Sequence, residues 1–459
     1  MTRMSGCRIA FLLPGGEPWV REAVADLMHV LDSLSAEVVF LSDGPAAREL
    51  GGPWIELDGV DTNPAFRRMY SNYTVAEPSV EESLREFRYC RVRFGGKFSL
   101  EQVRTRYQGW MKQARALYRL VQPDQVWIWN GVVYRSAAFA AVAAQMGLPV
   151  YYAEKGAMPG SWALDPCGTN GASSLLQVPE PAPEPGRVTV MRDTIRQWDH
   201  AGCSAWGQPE RMKAGELERL KEKAEGRNIV FFPGQVDSDS NIISFSPNFC
   251  GSREALDFLV RNLPNEYFFL VKPHPKGHVS ADEFRRVVGE RGLVTEDIHV
   301  LDAVEVSDLV ATINSTVGFE ATLRGKPVFF LGRGILSGRS FVRDWVPEEH
   351  LAGQVSAWLM EYASNKEELV NSALAWADHL YRDYYLFLKN EASIVSRLMQ
   401  IVEEVDAEAR NRLSLNEIET LCAPLDVTEV TDFLEGKELL KAAMKRFLKK
   451  MGQSHQTNG

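Results

Sequence analysis

The sequence predicts an α/β protein built from two parallel-sheet domains in succession and a helical tail, and three observations predict it. Short apolar runs alternate with amphipathic stretches at helical spacing, the pattern of βαβ units. The alternation breaks once, at the proline-rich run Val178-Pro-Glu-Pro-Ala-Pro-Glu-Pro-Gly186, and resumes from Asn228. The chain has 459 residues, more than the roughly 250–300 at which a single core stops growing. The expected division is 1–195, a Rossmann-like N-terminal domain; 196–404, a second Rossmann-like domain with closing helices; and 405–459, a helical, partly basic tail.

In chain order, Cys7-Arg-Ile-Ala-Phe-Leu-Leu13 reads as a buried strand, and Val20, Val24, Leu27, Leu31 and Leu34 mark a helix after Pro14-Gly-Gly-Glu-Pro18. Glu37 to Leu41 is the second strand of that unit. The stretch from Asp43 to Val121 reads as mostly helical, Gln125 to Trp129 as a strand, Ser136 to Met146 as a helix, and Val150 to Ala153 as the strand that delivers Glu154. The proline run is too proline-dense for a helix or a central strand and reads as an extended surface loop near the domain boundary. In the second half, Ile229–Phe232, Tyr267–Val271, His299–Leu301, Asp308–Ile313 and Pro327–Leu331 read as strands. Helices are expected around Glu254–Asn262, Asp282–Arg291 and Thr316–Leu323, and from Glu348 to about Glu403.

Composition removes several classes of function. A net charge of −10 leaves no general surplus of cations for nucleic acid, so any anion site must be local. The six cysteines form no CxxC pair, which argues against a zinc site or a disulfide framework and fits a reducing cytoplasm. No run reaches the ~18 apolar residues of a membrane span.

Ligands of open α/β sheets bind beyond the carboxyl ends of the strands, so the loops there carry most weight. Glu154-Lys-Gly-Ala-Met-Pro159 is either a catalytic carboxylate on a shaped turn or a surface turn. Pro233-Gly-Gln-Val-Asp-Ser-Asp-Ser-Asn241 crowds carboxylates, amides and hydroxyls into a run that would also serve as a helix cap. In Val271-Lys-Pro-His-Pro-Lys-Gly-His278 the prolines remove two amide donors and hold the chain extended, so Lys272 and His274 suit a phosphate, while Lys276 and His278 read as a solvated turn. Asn314-Ser-Thr-Val-Gly-Phe-Glu-Ala321 starts a helix with Ser315 and Thr316, where free amides and hydroxyls favour a phosphate or simply cap the helix.

In this order the motifs Glu154-Lys-Gly156, Gly168-Thr-Asn170 with Ser173, Pro233-Gly-Gln-Val236 with Asp239, Lys272-Pro-His-Pro275, and Asn314-Ser-Thr-Val-Gly318 through Gly325-Lys-Pro-Val328 resemble those of the retaining β-Kdo transferases of capsule-polysaccharide and O-antigen synthesis, which use CMP-β-Kdo. The resemblance runs from about Trp127 to Leu331. It implies a GT-B-like enzyme with two Rossmann-like domains facing a central cleft. It further implies Asp239 as the nucleophile that forms a covalent Kdo–enzyme intermediate, Asp237 as its neighbour, and Glu154 as acid/base. Lys272, His274, Ser315 and Thr316 would hold the CMP phosphate and stabilise the leaving group, with His274 counted among the catalytic residues; Asn314 would bind substrate beside them, Gln235 and Asn170 would orient the sugar or its carboxylate, and neither metal nor other cofactor is expected.

Where this family usually carries an aromatic residue and Gly-Leu-Thr, the chain has Gly332-Arg-Gly-Ile-Leu-Ser-Gly-Arg-Ser340, which leaves donor-carboxylate binding by Arg333 or Arg339 open. The Lys-x-His-Pro element also serves transferases with other CMP- or CDP-linked donors, such as sialic acid or glycerol phosphate. A non-catalytic assembly subunit is the alternative of another class. The expected partners are CMP-Kdo and a saccharide acceptor that a lipid could carry. Leu434, Leu440, Met444, Phe447 and Met451, interleaved with lysines, describe a basic amphipathic helix over 434–451 suited to an anionic membrane surface or a protein partner. The expected location is the cytoplasm, with attachment at the inner face of the bacterial inner membrane as a variant of it.

Overall fold

The computed structural model describes residues 7–14, 18–33, 36–42, 53–57, 73–200, 208–387, 398, 414, 415 and 418. The basic stretch 434–451 lies outside them. The described chain forms two compact units. One holds the residues up to Val80, Glu101–Ala153 and those from Leu386 on; the other holds Glu81–Leu100 and Glu154–Tyr385. Residues 154–195, which the sequence reading gives to the first domain, therefore group with the second unit, as does the segment Glu81–Leu100.

The first unit is a parallel sheet of β1 (Arg8–Leu13), β2 (Glu37–Ser42), β3 (Trp54–Glu56), β4 (Gln125–Trp129) and β5 (Val150–Lys155), in the spatial order β5-β4-β1-β2-β3. Strand β3 interrupts a stretch expected to be mostly helical, while the helices Val80–Phe94 and Leu100–Val121 bear that expectation out farther along. Every residue of β1 is buried, Arg8 included. The Arg8 guanidinium donates to Glu37 Oε2 at 2.8 Å and to the Val121 carbonyl at 2.9 Å, which offsets the cost of burying it. Helix Pro18–Ser33 buries Val24, Leu27 and Leu31, the spacing of one helical face.

The second unit contains β6 (Ser161–Asp165) and a six-stranded parallel sheet of β7 (Asn228–Pro233), β8 (Tyr267–Lys272), β9 (Gly292–Val294), β10 (Leu309–Thr312), β11 (Val328–Phe330) and β12 (Arg343–Asp344), ordered β12-β11-β10-β7-β8-β9. The chain lays down β7, builds outward through β8 and β9, then returns to the other side of β7 with β10. That reversal opens a crevice at the carboxyl ends of β7 and β10, where doubly wound sheets bind ligands. One expected strand is corrected. His299–Leu301 begins the helix Val300–Val306, with His299 Nδ1 accepting the Leu301 amide at 3.1 Å, and the strand of that region is β9. A short apolar run reads alike in either state, and Val300 and Val304, buried four residues apart, show the helical one. Helices Leu351–Ser364 and Lys366–His379 follow the sheet. No helix of the described residues is long and apolar enough to cross a membrane.

Candidate functional site

Two amide side chains close the crevice at the sheet's point of reversal. Gln235, just past β7, gives its Nε2 to Asn314 Oδ1 at 3.0 Å, and its Oε1 accepts the Asn314 amide at 3.2 Å and the Thr312 hydroxyl at 3.1 Å. Asn314 Nδ2 donates to the carbonyls of Asn241 at 2.9 Å and Arg333 at 3.2 Å. Both side chains thus tie the loops after β7, β10 and β11 to one another. This geometry makes them holders of the loops, where the resemblance implied contacts with sugar and phosphate.

Asp239 stands on the same rim as the N-cap of the six-residue helix Ser240–Phe245, its Oδ1 accepting the Asn241 amide at 2.8 Å. The residue is open to solvent, yet protein atoms crowd its carboxyl, and this lost hydration pushes its pKa up against the pull of the Asn241 amide and the Ser240 hydroxyl. Asp237 turns the other way. Its Oδ1 accepts the Ser252 amide at 2.8 Å at the start of helix Ser252–Asn262, and a Cβ on Gly251 would come within 2.5 Å of its Cγ. Burial raises its pKa, opposed by the Ser252 amide and by His278. His278, read as part of a solvated turn, lies with Nε2 2.8 Å from the Ser238 hydroxyl and so joins the two loops.

Strands β7 and β8 end side by side, Pro233 in register with Lys272, and the Gly234 amide donates to the Lys272 carbonyl at 2.8 Å. Gly234 fits because a Cβ there would lie 3.1 Å from the His274 amide and 3.2 Å from the Lys272 carbonyl oxygen, both backbone atoms. Lys272 is buried, and its Nζ donates to the Glu296 carbonyl at 3.0 Å, so the ammonium pins the loop after β9. Burial lowers its pKa against Glu296 and Asp297. His274 Nδ1 accepts the Lys276 amide at 3.0 Å, which puts the neutral ring's proton on Nε2 as a donor. Burial, then Lys276 and Lys272, lower its pKa and favour that neutral form. Ser315 Oγ accepts the Val317 amide at 3.2 Å as a local cap, whereas exposed Thr316 makes no capping bond through its side chain.

Glu154 lies half-buried near the end of β5, with Oε1 accepting the Lys155 amide at 3.0 Å. Asn170 takes a left-handed φ of 50°, a conformation that asparagine tolerates, and so shapes the turn after Gly168. Behind that turn lies a residue the sequence reading did not single out. Asp165, fully buried, accepts the amides of Cys167 (2.7 Å), Gly168 (3.1 Å) and Ser174 (2.9 Å) and the hydroxyls of Ser173 (2.8 Å), Ser174 (2.7 Å) and Tyr384 (2.8 Å). A carboxylate at the end of a strand, followed by Pro-Cys-Gly-Thr-Asn, was the available signal. The turn it organises brings Gly171 against Phe245, where a Cβ would meet the ring at 2.6 Å, and the Gly171 carbonyl accepts Arg333 Nε at 2.5 Å. Arg339 donates to the carbonyls of Val178, at 2.6 Å, and Leu175, with its guanidinium 3.8 Å from the centre of the Trp376 ring. Both arginines left open by the sequence hold backbone.

A cavity in the same unit is lined by His299, Val300 and Leu301, by Phe319, Glu320 and Leu323 of the helix that follows Thr316, and by Ile195 and Trp198. Glu320 Oε2 is buried with no hydrogen-bond partner among the described residues. Burial pushes the Glu320 pKa up, against Arg324, which itself pairs with Asp199. Among the described residues no cluster of three or more His, Cys, Asp or Glu side chains could hold a metal.

These features define a doubly wound α/β protein whose second unit gathers its chemistry at the carboxyl ends of β7, β8 and β10. Its residues 203–373 match the family described as capsule polysaccharide biosynthesis protein, so the resemblance to a capsule-polysaccharide family stands over that segment. The matched segment includes the loops of Gln235, Asp239, His274 and Asn314 but not Glu154 or Asn170. The chain is similar to the capsule polysaccharide modification protein LipA of Neisseria meningitidis serogroup A, 29% identical over 139 residues that make up 29% of this chain and 19% of that relative. It is also similar to protein FixF of Sinorhizobium fredii, 27% identical over 275 residues, 55% of this chain and 63% of FixF. The chain thus spans less than two thirds of either relative's length. Among solved structures, the β-Kdo 2,7 transferase of Thermosulfurimonas dismutans KpsC aligns over 86% of this chain and 100% of that one, at 15% identity and a TM-score of 0.41.

Proposed function

We propose that the protein is a retaining glycosyltransferase of bacterial cell-surface polysaccharide synthesis that moves Kdo from CMP-β-Kdo to a saccharide acceptor. The observation that carries the reading is the pairing of two loops. Parallel β7 and β8 end in register, so a carboxylate at Asp239 and a histidine presenting Nε2–H at His274 leave the same edge of one sheet. Retention takes two displacements. In the first, an Asp239 carboxylate oxygen bonds to the anomeric carbon as the bond from that carbon to the CMP phosphate oxygen breaks, and the electron pair leaves with CMP. His274 Nε2–H, with the hydroxyls of Ser315 and Thr316, stabilises that departing phosphate, and no metal is needed in this scheme. In the second, Glu154 takes the proton of the acceptor hydroxyl as its oxygen displaces Asp239.

The nucleoside would extend from Ser315 and Thr316 across the loops at the carboxyl ends of β7 and β10. Lys272 enters this scheme through the loop it pins. Incubation with enzymatically generated CMP-Kdo followed by intact-mass measurement tests the reading. A Kdo-sized increase that disappears in Asp239→Asn supports it; no adduct and no turnover, with CMP-Kdo shown to be intact, overturns it.

A further inference from the structure

We propose that Arg88, far from every motif of the sequence, is a positioning residue that sets where the Asp239 carboxylate points. Asp239 is carried by a helix of only six residues, Ser240–Phe245, and so short a helix has little stability of its own. Its direction must come from what holds its ends. The front end is capped by Asp239 itself. The rear end is held by Arg88 of helix Val80–Phe94, whose Nη1 donates to the Ile243 carbonyl at 3.1 Å and whose Nη2 donates to the carbonyls of Ser246 at 3.0 Å and Phe249 at 2.6 Å.

The three carbonyls belong to the last turn of the short helix and the loop that leaves it, groups that a helix end cannot satisfy by itself. A guanidinium reaches all of them because its donors diverge from one rigid plane; an ammonium is a compact point charge on a flexible stem. Its charge also lies at the helix's carboxyl end, where the peptide dipoles favour a cation. Arg88 Nε is buried without a hydrogen-bond partner among the described residues, so the group's specific contacts are these carbonyls. Arg333 adds a second hold through its amide, which donates to the Phe245 carbonyl at 2.8 Å. With Asn314 Nδ2 holding the Asn241 carbonyl of the first turn at 2.9 Å, Arg88 and Arg333 at the rear set the axial position and rotation of the helix, and hence the aim of its N-cap.

A role for Arg88 in the reaction rests on the assignment of Asp239 above; its hold on the helix does not. Two measurements on Arg88→Ala and Arg88→Lys, each checked for an unchanged far-ultraviolet spectrum, separate the two. Hydrogen exchange needs no substrate. The amides of 241–249 should exchange about tenfold faster in both variants, with those of 268–272 unchanged, and equal rates at 241–249 would overturn the proposal. With CMP-Kdo, turnover should fall ~10- to 100-fold, the cost of a displacement of about 1 Å at a reacting group, while CMP affinity changes less than twofold. Millimolar guanidinium should restore Arg88→Ala at least tenfold and leave Arg88→Lys unchanged. Wild-type turnover retained in Arg88→Ala would overturn the positioning role in the reaction. A wild-type protein inactive with intact CMP-Kdo would sink the Kdo reading instead, with the exchange experiment still deciding the hold on the helix.

Discussion

Replacing Asp165 by Asn keeps the shape of a buried side chain and removes its charge, and the structure sets the size of the effect. The Oδ1 atom accepts the amides of Cys167 and Gly168, which cannot turn, so the new NH₂ must take the place of Oδ2. The Ser174 amide donates to Oδ2 at 2.9 Å but also reaches Oδ1 at 3.1 Å, whereas the hydroxyls of Ser173, Ser174 and Tyr384 converge on Oδ2 alone. They can rotate to accept, but an NH₂ has two protons for three of them, and every bond loses its charge assistance. A bond to a charged group contributes ~1.5–3 kcal/mol and a neutral one ~0.5–1.5, so three such changes cost about 3 kcal/mol. With a urea dependence of ~2–3 kcal/mol per molar, the unfolding midpoint should drop by about 1 M. Tryptophan fluorescence during urea titration measures it. A midpoint within 0.2 M (roughly half a kcal/mol on the same slope) of wild type would mean that the bond network around Asp165 contributes little and that the reasoning is wrong.

Gly171→Ala puts a Cβ 2.6 Å from the Phe245 ring and 3.0 Å from the Arg333 carbonyl oxygen, and the second of these atoms cannot swing away. It should cost ~1–3 kcal/mol by urea titration. Glu320→Gln removes a buried charge whose pKa burial already raises, so the melting temperature should not fall, and a drop of several degrees in calorimetry would refute that account of its surroundings. His274 has a lowered pKa in the fold, so below its unfolded value of ~6.5 the unfolded chain binds more protons than the native one. The His274 contribution is present in full above that pH and declines as pH falls toward the folded pKa. Melting temperatures of wild type and His274→Gln should therefore converge on acidification from pH 7 to pH 5, and a constant difference would refute the sign.

The alternation of strands and helices and the strand-end positions of Asp239, His274 and Asn314 were legible along the chain, because periodicity and turn chemistry are properties of neighbouring residues. Sequence alone could not tell strand from helix at His299–Leu301, where three apolar-rich residues suit both. What a polar side chain does at its position was decided only in three dimensions. Lys272 reads as a phosphate ligand until the Glu296 carbonyl, 24 residues on, is seen to hold its ammonium. Gln235 and Asn314, 79 residues apart, bond to each other. Asp165 meets Tyr384 across 219 residues and Arg88 meets Ile243 across 155. A donor or acceptor is satisfied by whatever the fold brings within about 3 Å, and no local pattern records that partner.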